Sequence, residues 1–321
     1  MNHQTRVYNS VFEMMPDDEN PSPMVRINQM NPAGEFQLFA KLEWFNPFGS
    51  VKDRAAWEML LDLEKRGEVG AGRGVVEPTS GNTGISLAAM ARARGYHMRA
   101  VVPNKVPLEK KLLLKIAGAE LDVLNDELCP APGLGDGSIN MAKTHAKAQS
   151  KRYAMPNQYE NEKNVEAHFR TTGPEIWRQT QGKVTHVFCS LGTCGTVTGV
   201  GRFLRSKNPD VKIIAVQPTE GHDVPGLRNI TQLAVSKLFD ASLIDDILEI
   251  EFRLAYSRAL ELCQKEGLLA GPSSGLIYEG AREIILRDKR GLGVMIFPDS
   301  IFKYTSNMAK HIAGLSAGTQ A

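Results

Sequence analysis

Val75-Val76-Glu77-Pro78-Thr79-Ser80-Gly81-Asn82-Thr83-Gly84 runs from a short apolar strand into a turn rich in hydroxyls and glycine. Residues 83–94 then keep helical spacing and stop at Gly95, and 99–102 turns apolar again. Strand, turn, helix and strand in so short a span form the unit of a parallel sheet with crossover helices. The rhythm continues outward from this stretch. Residues 109–116 read as a helix closed by Gly118, and 121–124 as a third strand. It resumes with a strand at 184–190, a helix at 196–206 and a strand at 212–216. Residues 253–265 and 276–286 read as helices, and 294–297 as a late strand. Between the halves, 126–138 carries two prolines and three glycines and reads as a loop. In open sheets of this kind ligands gather at the carboxyl ends of the strands, where loops meet helix N-termini.

The composition bounds the function. The chain has 321 residues, 42% hydrophobic and 23% charged, enough for a packed core in two modest domains or one large one. A net charge of +2 excludes a strongly polyphosphate-binding surface, so no nucleic-acid partner is expected. No apolar run approaches the roughly 20 residues that cross a bilayer. Residues 1–10 are polar and lack the apolar core of a signal peptide, so a cytoplasmic location and no membrane partner are expected. Cys129, Cys189, Cys194 and Cys263 match neither a zinc pattern nor a CxxC pair, and the seven histidines form no HExxH. No metal is expected, and the thiols read as reduced.

Three turns carry the candidate chemistry. In Asn46-Pro47-Phe48-Gly49-Ser50-Val51-Lys52-Asp53-Arg54, Ser50 and Asp53 have capping-box spacing and predict a helix start, with Gly67 as its end. Lys52 then lies in the first turn, where the helix dipole disfavours a cation and favours the neutral, nucleophilic amine. Alone, such a lysine usually means a solvated surface residue; its neighbours decide. In Thr79-Ser80-Gly81-Asn82-Thr83-Gly84, hydroxyls, amides and a helix N-terminus converge, which suits a carboxylate or phosphate. Gly192-Thr193-Cys194-Gly195-Thr196, between strand and helix, is the best phosphate cradle in the chain. It is neither a P-loop nor a dinucleotide fingerprint, so a small phosphorylated ligand is expected. An activatable lysine, an anion loop and a phosphate cup are the parts of a pyridoxal 5'-phosphate (PLP) enzyme.

Lys41-Leu42-Glu43, the 46–54 segment, 77–84, Thr172-Gly173-Pro174-Glu175-Ile176-Trp177 and Gly271-Pro272-Ser273-Ser274-Gly275 stand in the order of the cysteine synthase and cystathionine β-synthase family, and the chain resembles it over 23–306. Residues 171–204 and 238–243 resemble the cysteine synthase B branch most. The resemblance implies a fold-type II PLP enzyme, like the β subunit of tryptophan synthase: two three-layer α/β domains with mostly parallel twisted sheets. The larger would be 1–45 plus 160–321, the smaller and mobile one 46–159, and the assembly a homodimer. It implies β-replacement: an activated serine (O-acetylserine or O-phosphoserine) loses its β-substituent to give aminoacrylate, which sulfide or thiosulfate converts to cysteine. Lys52 would form the Schiff base and move the proton. Asn82 would bond the ring 3'-hydroxyl, and Gly192, Thr193, Cys194, Gly195 and Thr196 would hold the phosphate. Ser273 would meet the pyridine nitrogen, and Thr79, Ser80, Gly81, Thr83 and Gln158 would grip the substrate carboxylate. A neutral hydroxyl at Ser273 cannot keep that nitrogen protonated as aspartate would, which leans the chemistry toward elimination and replacement.

The chain departs from the pattern at three places, and at a fourth, Arg228, it shares an arginine with the cysteine synthase B branch and phosphoserine-using relatives. Cys194 stands where the family has glycine or threonine; it reads either as a thiolate favoured at a helix N-terminus or as a buried small residue. Pro21-Ser22-Pro23-Met24 is unusual and reads as a packing change. Pro298-Asp299-Ser300-Ile301-Phe302-Lys303-Tyr304 begins as in cystathionine β-synthases, which keeps another nucleophile open, homocysteine or an amine that would give 2,3-diaminopropionate. Arg228 would pair with an anionic leaving group or thiosulfate, or be a solvated loop arginine. A PLP-binding scaffold without catalysis is the non-enzyme alternative, and Lys52, Asn82 and Ser273 argue against it. A nucleotide-binding module lacks its fingerprints.

Overall fold

The computed structural model describes residues 7–70, 72–125 and 137–312. Among the described residues, ten strands form two sheets. They are β1 (Met24–Arg26), β2 (Phe36–Leu42), β3 (Gly74–Pro78), β4 (Met98–Pro103), β5 (Ala119–Leu124), β6 (Tyr153–Ala154), β7 (His186–Ser190), β8 (Lys212–Pro218), β9 (Asp246–Ile250) and β10 (Gly291–Phe297). The larger sheet has the order β1-β2-β10-β7-β8-β9 and the smaller β5-β4-β3-β6. Every pairing is parallel except β1 with β2.

Both faces of each sheet are covered, as parallel sheets require. Along β10, Met295 and Phe297 pack with Phe36, Leu38 and Ile277 on one face. Val294 and Ile296 pack with Val187, Val197 and Ile213 on the other. In the smaller sheet Val75, Ala100 and Val102 face one cluster, and Val76, Val101 and Tyr153 the opposite one. Each sheet is therefore the middle of three layers, the α/β architecture the sequence predicts.

The helices that position the site are α1 (Lys52–Lys65), α2 (Asn82–Ala93), α3 (Leu108–Ile116), α4 (Gly137–Ala148), α5 (Lys163–Ala167), α6 (Gly173–Gln179), α7 (Gly195–Lys207), α8 (Phe252–Glu261), α9 (Pro272–Asp288) and α10 (Thr305–Ala309). Three element boundaries differ from the sequence reading. The predicted helix 253–265 is α8 followed by a π turn, Leu262–Glu266, that ends at left-handed Gly267. Helix α9 starts before 276, because Gly271 caps it and Pro272 takes the first turn. Of the predicted loop, 126–136, with Cys129, lies outside the described residues, while Ser138 already belongs to α4.

The capping box at Ser50 does not form. Val51 is the N-cap, and the Asp53 carboxylate accepts from the backbone N–H of Phe48 at 2.7 Å and from the Ser86 hydroxyl at 2.6 Å. Asp53 ties α1 to the preceding loop and to α2, and it meets Ser50 only side chain to side chain, the Ser50 hydroxyl donating to Asp53 Oδ1 at 3.3 Å while accepting from Lys52 N–H at 3.3 Å. No helix of the described chain is long and apolar enough to cross a membrane.

Candidate active site

A cleft opens between the sheets, at the carboxyl ends of β3, β7 and β10. Lys52, Ser80, Asn82, Thr83, Lys110 and Gln158 line it from the smaller sheet's side, and Gly192, Thr193, Thr196, Gly226, Ser273 and Tyr304 from the larger. Thus one cleft gathers residues predicted from three separated turns and from 273. Thr79 and Arg228 line a small adjoining cavity with Ser80, Tyr159 and Gly226. Gly81, Cys194 and Gly195 shape the loops behind the wall.

Lys52 opens α1 and is partly exposed at the cleft. Burial disfavours its ammonium, and the Asp299 carboxylate pulls the other way. The outcome is still a lysine biased toward the neutral amine.

The 79–84 turn is held from within. Thr79 Oγ1 accepts the N–H groups of Gly81 and Gly84, both at 3.0 Å, so this hydroxyl builds the turn. Gly81 has φ +137°, and a Cβ there would lie 2.4 Å from Lys110 Cδ, so only glycine fits. Thr83 donates to Gln158 Oε1 at 2.6 Å, and Gln158 Nε2 donates to Pro78 O at 2.8 Å. Gln158 is fixed in turn by the buried Glu77 carboxylate, which accepts the N–H groups of Asn157 and Gln158. Burial pushes that carboxyl up to about 8.

The cradle at 192–196 closes on the N-terminus of α7, whose first turn has no acidic residue. Cys194 takes φ +68°, a left-handed turn at the N-cap of α7. Its thiol is 3% exposed and burial pushes it up to about 12, so it is a buried small residue and not a thiolate. Desolvation outweighs the helix terminus here. A Cβ at Gly195 would stand 2.0 Å from Asn164 Oδ1, and Asn164 Nδ2 donates to Thr193 Oγ1 at 2.9 Å.

Arg228 is 5% exposed and lies over the Tyr159 ring, donating to its hydroxyl at 3.2 Å. It is not a solvated loop arginine.

Sequence reasoning missed a chain of polar side chains behind Asn82. Asp299 Oδ2 accepts from Asn82 Nδ2 and from Tyr304 Oη, both at 2.7 Å. Lys303 Nζ donates to Asn82 Oδ1 at 3.3 Å and to Gly49 O at 2.8 Å. The unusual 298–304 segment thereby orients the Asn82 amide; its departure from pattern was the available signal. His168 was also missed. Its ring bonds the hydroxyls of Thr172 at 2.8 Å and Thr196 at 3.1 Å, and burial pushes it down to about 3, leaving it neutral. No sequence signal marked it.

The chain belongs to the pyridoxal-phosphate-dependent enzyme family: the model described as "Pyridoxal-phosphate dependent enzyme" matches residues 15–299. It is 39% identical to cysteine synthase B of Escherichia coli (strain K12) over 285 residues, 89% of this chain and 92% of that one. It is 38% identical to the cysteine synthase of Aquifex aeolicus over 291 residues, covering 88% of each. Among solved structures, O-ureido-L-serine synthase superposes with a TM-score of 0.84 at 30% identity, covering 98% of this chain and 96% of that one. Cysteine synthase of Entamoeba histolytica gives 0.82 at 27%, covering 97% and 93%.

The residues present fit the cofactor. A cradle that admits no Cβ at Gly195, at a helix start free of carboxylates, suits a phosphate. A desolvated lysine in the same cleft suits an aldehyde. The enzyme is PLP-dependent.

Proposed function

We infer that this chain is a PLP-dependent cysteine synthase, forming L-cysteine by β-replacement from O-acetylserine or O-phosphoserine with sulfide or thiosulfate. The observation that carries the reading is one cleft shared by Lys52, the 192–196 cradle, Asn82 and Ser273. When bound, the cofactor supplies an electron sink for the charge left as the α-proton departs. Lys52 Nζ would anchor it and would take and return the α-proton. Gly192, Thr193, Gly195, Thr196 and the Cys194 backbone would hold the phosphate. Asn82, aimed by Asp299 and Lys303, would hold the ring oxygen. Ser273, at the start of α9, would be the neutral partner of the ring nitrogen. Ser80, Gly81, Thr83 and Gln158 orient the substrate carboxylate, with Thr79 bracing the turn. Arg228, stacked on Tyr159, meets the anionic leaving group or thiosulfate.

We further infer that 46–159 moves against 1–45 plus 160–321 to cover the substrate. The two sheets, drawn from strands within 74–154 and from the rest of the chain, support that division. A cytoplasmic homodimer completes the reading; free thiols at Cys189, Cys194 and Cys263 suit a reducing compartment.

Borohydride reduction of the cofactor-loaded protein and peptide mapping test the core of the reading. Label at Lys52 is expected, and an unlabelled Lys52 overturns it. Cysteine release from each activated serine with sulfide or thiosulfate then identifies the pair used. Discharge by homocysteine alone would refute the cysteine assignment.

A further inference from the structure

Every side chain assigned above to the substrate carboxylate is uncharged. The cleft wall nevertheless carries a second lysine. Lys110, on α3, is 1% exposed and lines the cleft, and no aspartate or glutamate does. Its stem runs directly beneath Gly81, which places Lys110 on the same wall as Ser80, Thr83 and Gln158. Its Nζ donates to Tyr304 Oη at 2.9 Å and lies 4.1 Å from the centre of that ring. Among the described residues no carboxylate reaches ion-pairing distance of this ammonium. Tyr304 in turn donates to Asp299, which fixes the phenol as an acceptor for Lys110. The nearest negative charge, Asp299, lies one hydrogen bond further on behind Tyr304 and is shared with Asn82, so this buried cation has no carboxylate in direct contact and stays costly until an anion arrives. Burial brings its pKa down to about 8. The phosphate has its own cradle at α7, so the anion Lys110 awaits is a different one.

We propose that Lys110 is the counter-charge for the α-carboxylate of the amino-acid substrate. The neutral donors of the 79–84 turn and Gln158 orient that carboxylate, and Lys110 makes the site select for its charge. The proposal rests on the amino-acid reading of the site given above.

The test is calorimetric titration of the holoprotein with L-serine and with L-serinamide, which keeps the amine and hydroxyl but lacks the charge. Wild type binds serine more tightly than the amide. Lys110→Met weakens serine by about ten- to a hundredfold, the range of a charge-assisted hydrogen bond, and leaves serinamide nearly unchanged. Lys110→Arg keeps most of the preference for serine. Should the methionine variant fail to fold, Tyr304→Phe, which removes the anchor and keeps the charge, is expected to weaken serine alone, by a few fold. Equal weakening of both ligands in Lys110→Met overturns the proposal, as does an unchanged affinity for serine; either leaves the amino-acid reading standing. A wild type that binds neither ligand overturns that reading and the proposal with it.

Discussion

Replacing Glu175 by glutamine should destabilise the protein far more than its single lost charge suggests. Glu175 accepts from Lys41 Nζ at 2.7 Å and from Arg54 Nη1 at 2.5 Å, and Arg54 Nε reaches Glu43 at 2.7 Å. All four side chains are 0–1% exposed, so two positive and two negative charges balance in a site closed to water. Ser22 adds its N–H to Glu175 and its hydroxyl to Glu43, so the unusual 21–24 segment enters the network and is more than a packing change. Glu175→Gln leaves one buried positive charge unmatched, which costs about 3–5 kcal/mol. At about 2–4 °C per kcal/mol for a chain of this size, the melting temperature should fall by roughly 6–20 °C. Lys41, already biased by burial toward the neutral form, offers relief by releasing its proton. The loss should therefore shrink as pH rises. Adding Lys41→Met restores the balance and should recover at least half of the loss, because a neutral, well-packed pair replaces an unmatched ion. Thermal unfolding followed by circular dichroism, with the cofactor bound, measures all three variants. A single variant within about 1 kcal/mol of wild type, or a double variant no better than the single, would refute the argument.

Two further outcomes follow from burial. Alkylation of the native protein at pH 8 should leave Cys189 and Cys194 unmodified, since both are pushed up to about 12, and urea should open both to reagent; rapid native labelling of Cys194 would restore its reading as a reactive thiol. Glu77, with its carboxyl raised from the ordinary range to about 8, binds its proton more tightly folded than unfolded, so its contribution is full below pH 4.5 and is lost as pH rises to about 8. The melting temperature of Glu77→Gln minus that of wild type should accordingly increase from pH 5 to pH 8, and a flat difference would count against the buried acid.

The alternating strands and helices were legible because parallel units announce themselves twice, by apolar runs and by the glycines that end their helices, as at Gly95 and Gly118. β2 escaped notice: Lys41 sits inside it and breaks the apolar run, and only Glu175, far along the chain, makes that lysine tolerable in the interior. β9, Asp-Ile-Leu-Glu-Ile, is an edge strand in which Ile247 and Glu249 are exposed, and β6 has two residues, too short for any periodicity.

The site divides along the same line. Lys52, Asn82, the 192–196 cradle and Ser273 sit in local turns whose residue types carry their chemistry, so sequence could find them one at a time. Lys110, Asp299, His168 and the Lys41–Glu175–Arg54–Glu43 network each depend on at least one partner remote in sequence, such as Tyr304 for Lys110, Asn82 for Asp299 and Thr196 for His168, which no local pattern encodes. Resemblance quoted Lys41, Glu43, Arg54 and Glu175 as signature letters without a reason for them. The reason is positional: Arg54 stands two residues beyond Lys52 in the first turn of α1, so the buried charges that hold its guanidinium also hold the turn that presents the reactive amine. The motif therefore couples a buried charge network to the helix turn that carries Lys52.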